Sequence, residues 1–172
     1  MNLLRWIGVI VAVLVAAGAL VYAIGAALPR AHVARVEGVV PMPADAVAAR
    51  IRGVRDYPRW RPGVTVDSLG AADGGVSYVE TNDGDRIAYT LTEPQPGRRF
   101  DTTITDQTLP FGGRWTFDLE SQGSSTRVRI EENGVIRDPL YRFFARFVFG
   151  YTSSMQGYLR ALGTGEAPPP RP

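Results

Sequence analysis

The chain has 172 residues, 45% of them hydrophobic, with no cysteine, one histidine and 19 basic residues against 17 acidic ones. That length supports one domain. The lack of cysteine excludes a disulfide framework, a thiol nucleophile and a cysteine zinc site, and His32 alone cannot supply the imidazoles of a usual metal site, so neither a metal nor another cofactor is expected. A net charge of +2, carried by arginine alone without lysine, is no signature of nucleic-acid binding.

The hydrophobic residues are unevenly spread. From Trp6 to Leu28 the chain reads WIGVIVAVLVAAGALVYAIGAAL without a charge, and at about 1.5 Å per residue such a run reaches about 30 Å or more, enough to cross a bilayer core. It exceeds the apolar stretch of about 7–15 residues usual in a secretory signal, and no polar face interrupts it as in a surface helix. Residues 1–28 are therefore expected to be a retained single-pass anchor. A signal cleaved near the small residues Ala23, Gly25 and Ala27 is the alternative. Arg5 stands before the run and Arg30 and Arg35 after it, close to balance, but the short head resembles a signal anchor and puts the domain outside the cytoplasm.

After Pro29 the pattern changes to short alternating segments. His32–Val40 reads as a strand and Pro43–Gly53 as a short helix with Pro in its first turn and Val47 and Ile51 on one face. Asp56–Pro62, with two prolines, allows a turn or one helical turn. From Gly63 to Gly134 six strands follow, namely VTVDSL, GVSYVET, RIAYTLTE, RRFDTTITD, RWTFDLES and TRVRIEEN, separated by turn clusters that imply an antiparallel meander. Asn82–Arg86 opens like a calcium loop, but Pro94 stands where the closing glutamate is required, so it reads as a hairpin turn. Alternation such as Trp115, Phe117 and Leu119 against Arg114, Thr116 and Asp118 makes one sheet face buried and one wet. The cover is expected from one long helix over Asp138–Gly163, whose stripe runs through Leu140, Phe144, Phe147, Tyr151, Met155, Tyr158, Leu159 and Leu162. Residues 29–163 thus form an α+β domain, a curved antiparallel sheet of about seven strands around a long C-terminal helix, preceded by one transmembrane helix and followed by a Pro-rich, disordered tail over 164–172.

The strand-to-helix entry at Val40–Val47, YPRWRP at Tyr57–Pro62, LPFGGRWTFDL at Leu109–Leu119 and ENGVIRDPLYRF before the last helix resemble the SRPBCC superfamily, which includes START lipid-transfer domains and the polyketide cyclase/dehydrase group. The resemblance spans residues 29–163. It implies a helix-grip fold with a cavity for lipids, polyketides or other apolar molecules, and it carries no shared catalytic motif.

The residues give separate support. The aromatic bulk exceeds what one sheet-helix layer needs, and Tyr78, Tyr89, Phe111, Trp115, Phe117, Phe144, Phe147, Tyr151 and Met155 are the candidate ligand-binding set, ordinary core packing being the alternative for each. For catalysis the candidates are Glu80, Tyr78 and Tyr89. Glu80 would be a useful acid or base if it pointed inward, whereas the preferred reading makes it a solvated charge. His32 reads as a polar residue at the domain edge. Arg50, Arg52, Arg55, Arg59 and Arg61, interleaved with Tyr57 and Trp60, read as a solvated turn or as a surface for anionic lipid, to which Arg142 and Arg146 would add an i, i+4 pair. Leu109–Phe111 is an apolar loop suited to gate a cavity or dip into lipid. The expected function is a membrane-tethered binding domain for a hydrophobic small molecule or lipid, held to the membrane by residues 6–28, with no nucleic-acid partner. A cyclase/dehydratase-type enzyme and an interaction domain with a filled core are the alternatives.

Overall fold

A computed structural model describes residues 3–82 and 84–164. The last eight residues of the expected tail lie outside them. The elements run α1 (Leu3–Ala27), β1 (Ala31–Val40), α2 (Ala44–Arg52), a short 3₁₀ turn (Val54–Asp56), α3 (Tyr57–Trp60), β2 (Val64–Ala72), β3 (Gly75–Asn82), β4 (Asp85–Gln95), β5 (Arg99–Ile104), β6 (Phe111–Gln122), β7 (Ser125–Ile136), α4 (Pro139–Phe144), a π-helical turn (Ala145–Phe149) and α5 (Ser153–Thr164).

The strands form one seven-stranded antiparallel sheet in the order β1-β7-β6-β5-β4-β3-β2. The meander β2 to β7 places sequential strands side by side, and β1 closes the other edge against β7, with Ala31 opposite Val135 and Val40 opposite Thr126. Register follows the period of two. Val76, Leu91, Thr102, Trp115, Glu132 and Ala34 stand opposite one another across six strands and share the inner face. One residue pair further toward one end, Phe100, Phe117, Ile130 and Val36 make the next inner row. Phe100 and Ile130 are wholly buried there, under α2 and α5.

α2 presents Val47, Ala48 and Ile51 to this core, one side of about two and a half turns, and Gly53 ends it by donating to the Ala49 carbonyl. α3 is only one turn, as Pro58 in its first turn and Pro62 after it dictate. It nevertheless buries Tyr57 and Trp60, and the Tyr57 hydroxyl donates to the Ile51 carbonyl at 2.8 Å.

The expected single C-terminal helix is broken. α4 starts at Asp138, whose carboxylate accepts from the Leu140 and Tyr141 amides, but the following turn widens to π geometry and Gly150 adopts φ +73°. That positive φ with an extended ψ of 160° suits glycine and stops the helix. The apolar stripe is therefore divided between two helices with different neighbours. Met155, Tyr158 and Leu162 of α5 are buried against the sheet, whereas Phe144 and Phe147 stay exposed. Arg142, expected to form a surface pair with Arg146, is buried instead. Its guanidinium donates to the Leu28 carbonyl at 2.6 Å and the Ala26 carbonyl at 3.4 Å, so α4 is fastened to the end of α1.

α1 has a stretch, Arg5–Ala27, long and apolar enough to cross a membrane and equally able to be a signal sequence. Leu109–Phe111 is also more ordered than a free loop. Phe111 already pairs with Ile136 in β6, and Arg137 donates to the carbonyls of Leu109 and Phe111 while its amide donates to Pro110.

Candidate functional site

From β4 to β6 the inner face is closed at one end and more open at the other, whereas on β3 Tyr78 and Glu80 stay buried at that second end. At the closed end α2 and α5 bury Phe100, Phe117, Val128 and Ile130. At the other end, β1 and β6 begin and β3, β5 and β7 finish. There the break at Gly150 ends the cover, and Tyr89, Ile104, Trp115 and Tyr151 remain only partly buried although they face inward or pack on the core. Gly113 and Gly134 stand opposite each other between Ile104 and His32. A methyl group on Gly134 would overlap the His32 imidazole, which lies over it.

His32 and Glu132 stand at the β1–β7 edge of this open half, Nε2 to Oε2 3.7 Å, with side chains 13% and 23% exposed. The His32 ring stacks on Tyr151 at 4.2 Å. His32 is thus on the edge strand, as expected, but turned inward. The sequence carries no signal for the pair, because the two residues are a hundred positions apart and only the β1–β7 register joins them.

Across the sheet, beside α3, Glu80 is 6% exposed and points inward. This reverses the solvated reading. Its partner is Arg61, whose two terminal nitrogens donate to Oε2 and Oε1 at 2.6 and 2.8 Å. The bidentate geometry occupies both carboxylate oxygens, so Glu80 stands here as a buried counter-ion and not as a free base. The Arg61 guanidinium also lies 5.1 and 4.9 Å from the ring centres of Tyr57 and Tyr158. Burial works against this cation, yet the hydrogen bonds and charge of Glu80 outweigh it and raise its pKa. Desolvation, then the Glu80 charge, pushes the Tyr78 and Tyr89 phenols above their ordinary range, and burial raises Tyr158 to about 12. These phenols are hydrogen-bonding groups at neutral pH, not bases. Trp60 Nε1 is buried beside them without a hydrogen-bond partner.

The candidate ligand-binding set therefore divides. Tyr78, Tyr89, Trp115 and Phe117 share the inner face, Met155 is buried against it and Tyr151 sits at its open edge. Phe111, at the start of β6, lies 6.2 Å from Tyr141 of α4, and Phe144 and Phe147 stand with α4 outside the core. The expected basic cluster is largely consumed by internal partners. Arg52 pairs with Glu93, Arg59 with Asp56 and Arg61 with Glu80, and Arg50 donates to the Leu162 carbonyl. Among the described residues no group of three or more His, Asp or Glu is placed to hold a metal.

Residues 31–163 match the family described as polyketide cyclase/dehydrase and lipid transport, and the chain belongs to that family. The solved structures it resembles share its fold. A START superfamily protein from Mycobacterium smegmatis superposes with TM-score 0.60 at 14% identity, over 77% of this chain and 94% of that one. Norcoclaurine synthase from Thalictrum flavum, solved in complex with dopamine and hydroxybenzaldehyde, superposes with TM-score 0.57 at 14% identity, over 77% and 84%. The di-domain ARO/CYC protein BexL of the BE-7585A biosynthetic pathway gives TM-score 0.61 at 22% identity, over 78% of this chain and 46% of that one. No curated protein matches the chain.

Proposed function

We propose that this protein is a membrane-tethered binding domain that takes a hydrophobic small molecule or lipid into the open half of the sheet's inner face. The observation that carries this reading is the gradient of cover along that face from β4 to β6. Phe100 and Phe117 are sealed, while Tyr89, Ile104 and Trp115, one or two rows on, keep accessible surface. Partly open aromatic and aliphatic side chains with a few polar groups at the rim are the usual make-up of a small-molecule site. The polar groups here are His32, Glu132 and the Tyr89 phenol. The family, which includes lipid transport, supports the ligand class, and the apolar α1 supports the tether. The head bearing Arg5 supports an extracytoplasmic domain, and a reporter enzyme fused after Pro172 tests this by the compartment in which it is active.

The binding test is a titration of the full chain in detergent with a dansylated fatty acid. Trp115→Ala is expected to weaken binding by about tenfold, and Leu69→Ala, on the exposed edge strand, to leave it unchanged. Equal binding by both variants contradicts the site.

A second reading, a cyclase-type enzyme, is favoured by one observation: an imidazole and a carboxylate face each other at the rim, where a bound substrate would meet both. Under it His32→Gln abolishes turnover and retains binding.

A further inference from the structure

Outside α1, the exposed large apolar side chains among the described residues are concentrated in one place. Val33, Val39, Leu69 and Val135 are scattered over strands, but Leu140, Tyr141, Phe144, Phe147, Val148 and Phe149 crowd into ten residues of α4 and the π turn. Phe147, Val148 and Phe149 are each 55–60% exposed. They form a continuous aromatic surface, with Phe143 5.0 Å from Phe147 and Phe144 6.1 Å from Phe149 between ring centres. Such a patch on a folded domain marks a surface that something covers.

The position of the patch indicates the occupant. Among the described residues α1 is exposed along most of its length, and reduced exposure falls on Val21 and Gly25 and on Leu28 just past its end, one face of the helix terminus. α4 packs on that face. Gly25 touches it so closely that a methyl group would overlap the Pro139 carbonyl, and Arg142 clamps the Ala26 and Leu28 carbonyls. The 23 residues Arg5–Ala27 extend about 35 Å at 1.5 Å per residue, against a bilayer core of about 30 Å. The last turns of α1 then stand at the lipid interface, and α4 is fixed at the same depth.

We propose that residues 140–149 are a second membrane element, an aromatic surface that lies in the headgroup–acyl boundary beside the anchor. The inference rests on reading α1 as a membrane span. The segment's chemistry fits an interface. Its charged residues are Arg142, buried against α1, and Arg146, exposed and able to meet lipid phosphate, with no acidic residue from Pro139 to Gly165. The consequence is directional. The open half of the inner face lies at the same end of the sheet as α1 and α4, since β1 begins and β7 finishes there, so docking this surface brings the mouth of the site to the bilayer.

Because the chain has no cysteine, single cysteines report without background. Val13→Cys, Leu69→Cys and Phe147→Cys, each labelled with an environment-sensitive nitrobenzoxadiazole, are reconstituted as full chains in phosphatidylcholine–phosphatidylglycerol vesicles carrying nitroxide lipids. At position 147 quenching is expected to exceed that at 69 by about threefold or more, and to be stronger from nitroxides placed shallow in the acyl chain than from deep ones. At position 13 the deep nitroxides should dominate. Quenching at 147 no greater than at 69, with 13 still quenched by deep nitroxides, overturns the docking surface and leaves the tether intact. Absence of quenching at 13 removes the tether and the docking surface together. Disulfide-linked dimers of unlabelled Phe147→Cys without lipid quenching of the labelled form assign the surface to a second copy and likewise overturn the proposal.

Discussion

Arg61 and Glu80 illustrate what a buried ion pair does at the scale of single residues. Both are largely removed from water, 15% and 8% exposed at the side chain, so neither tolerates loss of the other. Arg61→Met is expected to cost about 3–5 kcal/mol in denaturant unfolding, because it leaves a buried carboxylate unpaired, while Arg61→Met with Glu80→Met costs less than either single change. A double variant less stable than both would contradict a role as mutual counter-ions. The surrounding phenols set the response to alkali. Tyr57, Tyr78 and Tyr158 have pKa values raised by burial above the unfolded value of 10.0, so the folded state holds its protons longer than the unfolded chain. Their contribution is complete below pH 10 and is lost as pH rises beyond it toward the folded values. The stability of the domain should fall above about pH 10, with tyrosinate absorbance appearing together with unfolding; a spectral titration complete in the native state would contradict this. The sequence left the direction of Glu80 open because β3 alternates Tyr78 and Glu80 against Val79, and apolar side chains on both faces make a weak signal. The deciding partner, Arg61, lies beyond a turn and is reached only when β2 and β3 pair, with Val66 opposite Glu80.

At the scale of elements, the seven strands and the short helices were legible because their periods and turn residues agree. Pro43 opens α2, Gly53 closes it, and the alternation of β6 and β7 names its own inner face. The C-terminal helical segment divides into α4 and α5 for a physical reason that its sequence only weakly signals. Its apolar residues keep helical spacing through Phe144, Phe147 and Tyr151, and a single glycine inside such a pattern is a weak stop signal. In the fold, Gly150 at φ +73° with no neighbour near its missing Cβ is a stop by conformation, not by crowding. Gly150→Ala is therefore expected to cost about 1–3 kcal/mol without displacing any neighbour, measured by chemical denaturation of the full chain. A cost near zero would mean that the break is not held by this residue. Gly25 is the opposite case. Gly25→Leu forces a side chain into the Pro139 carbonyl and should separate α1 from α4, seen as faster proteolysis between residues 139 and 150 in detergent; unchanged cleavage would contradict a fixed α1–α4 contact.

For the whole molecule, the parts converge on one end of the sheet. α1 enters there, α4 leaves there, and the β4–β6 part of the inner face is less covered there, so under the proposed reading an apolar molecule would travel a short distance between bilayer and site. The site itself was only partly legible from sequence. Trp115 follows from the strand period, Phe117 and Met155 fall in the sealed core, and His32 and Glu132 are brought together by the closing β1–β7 pair. The central claim is occupancy of the open half of the inner face. It is tested most directly by native mass spectrometry of the full chain released from its host membrane in detergent. The account predicts a wild-type mass raised by one bound apolar molecule, and loss of that increment in Trp115→Ala. The same mass as the bare chain, or an increment retained unchanged in Trp115→Ala, would contradict it.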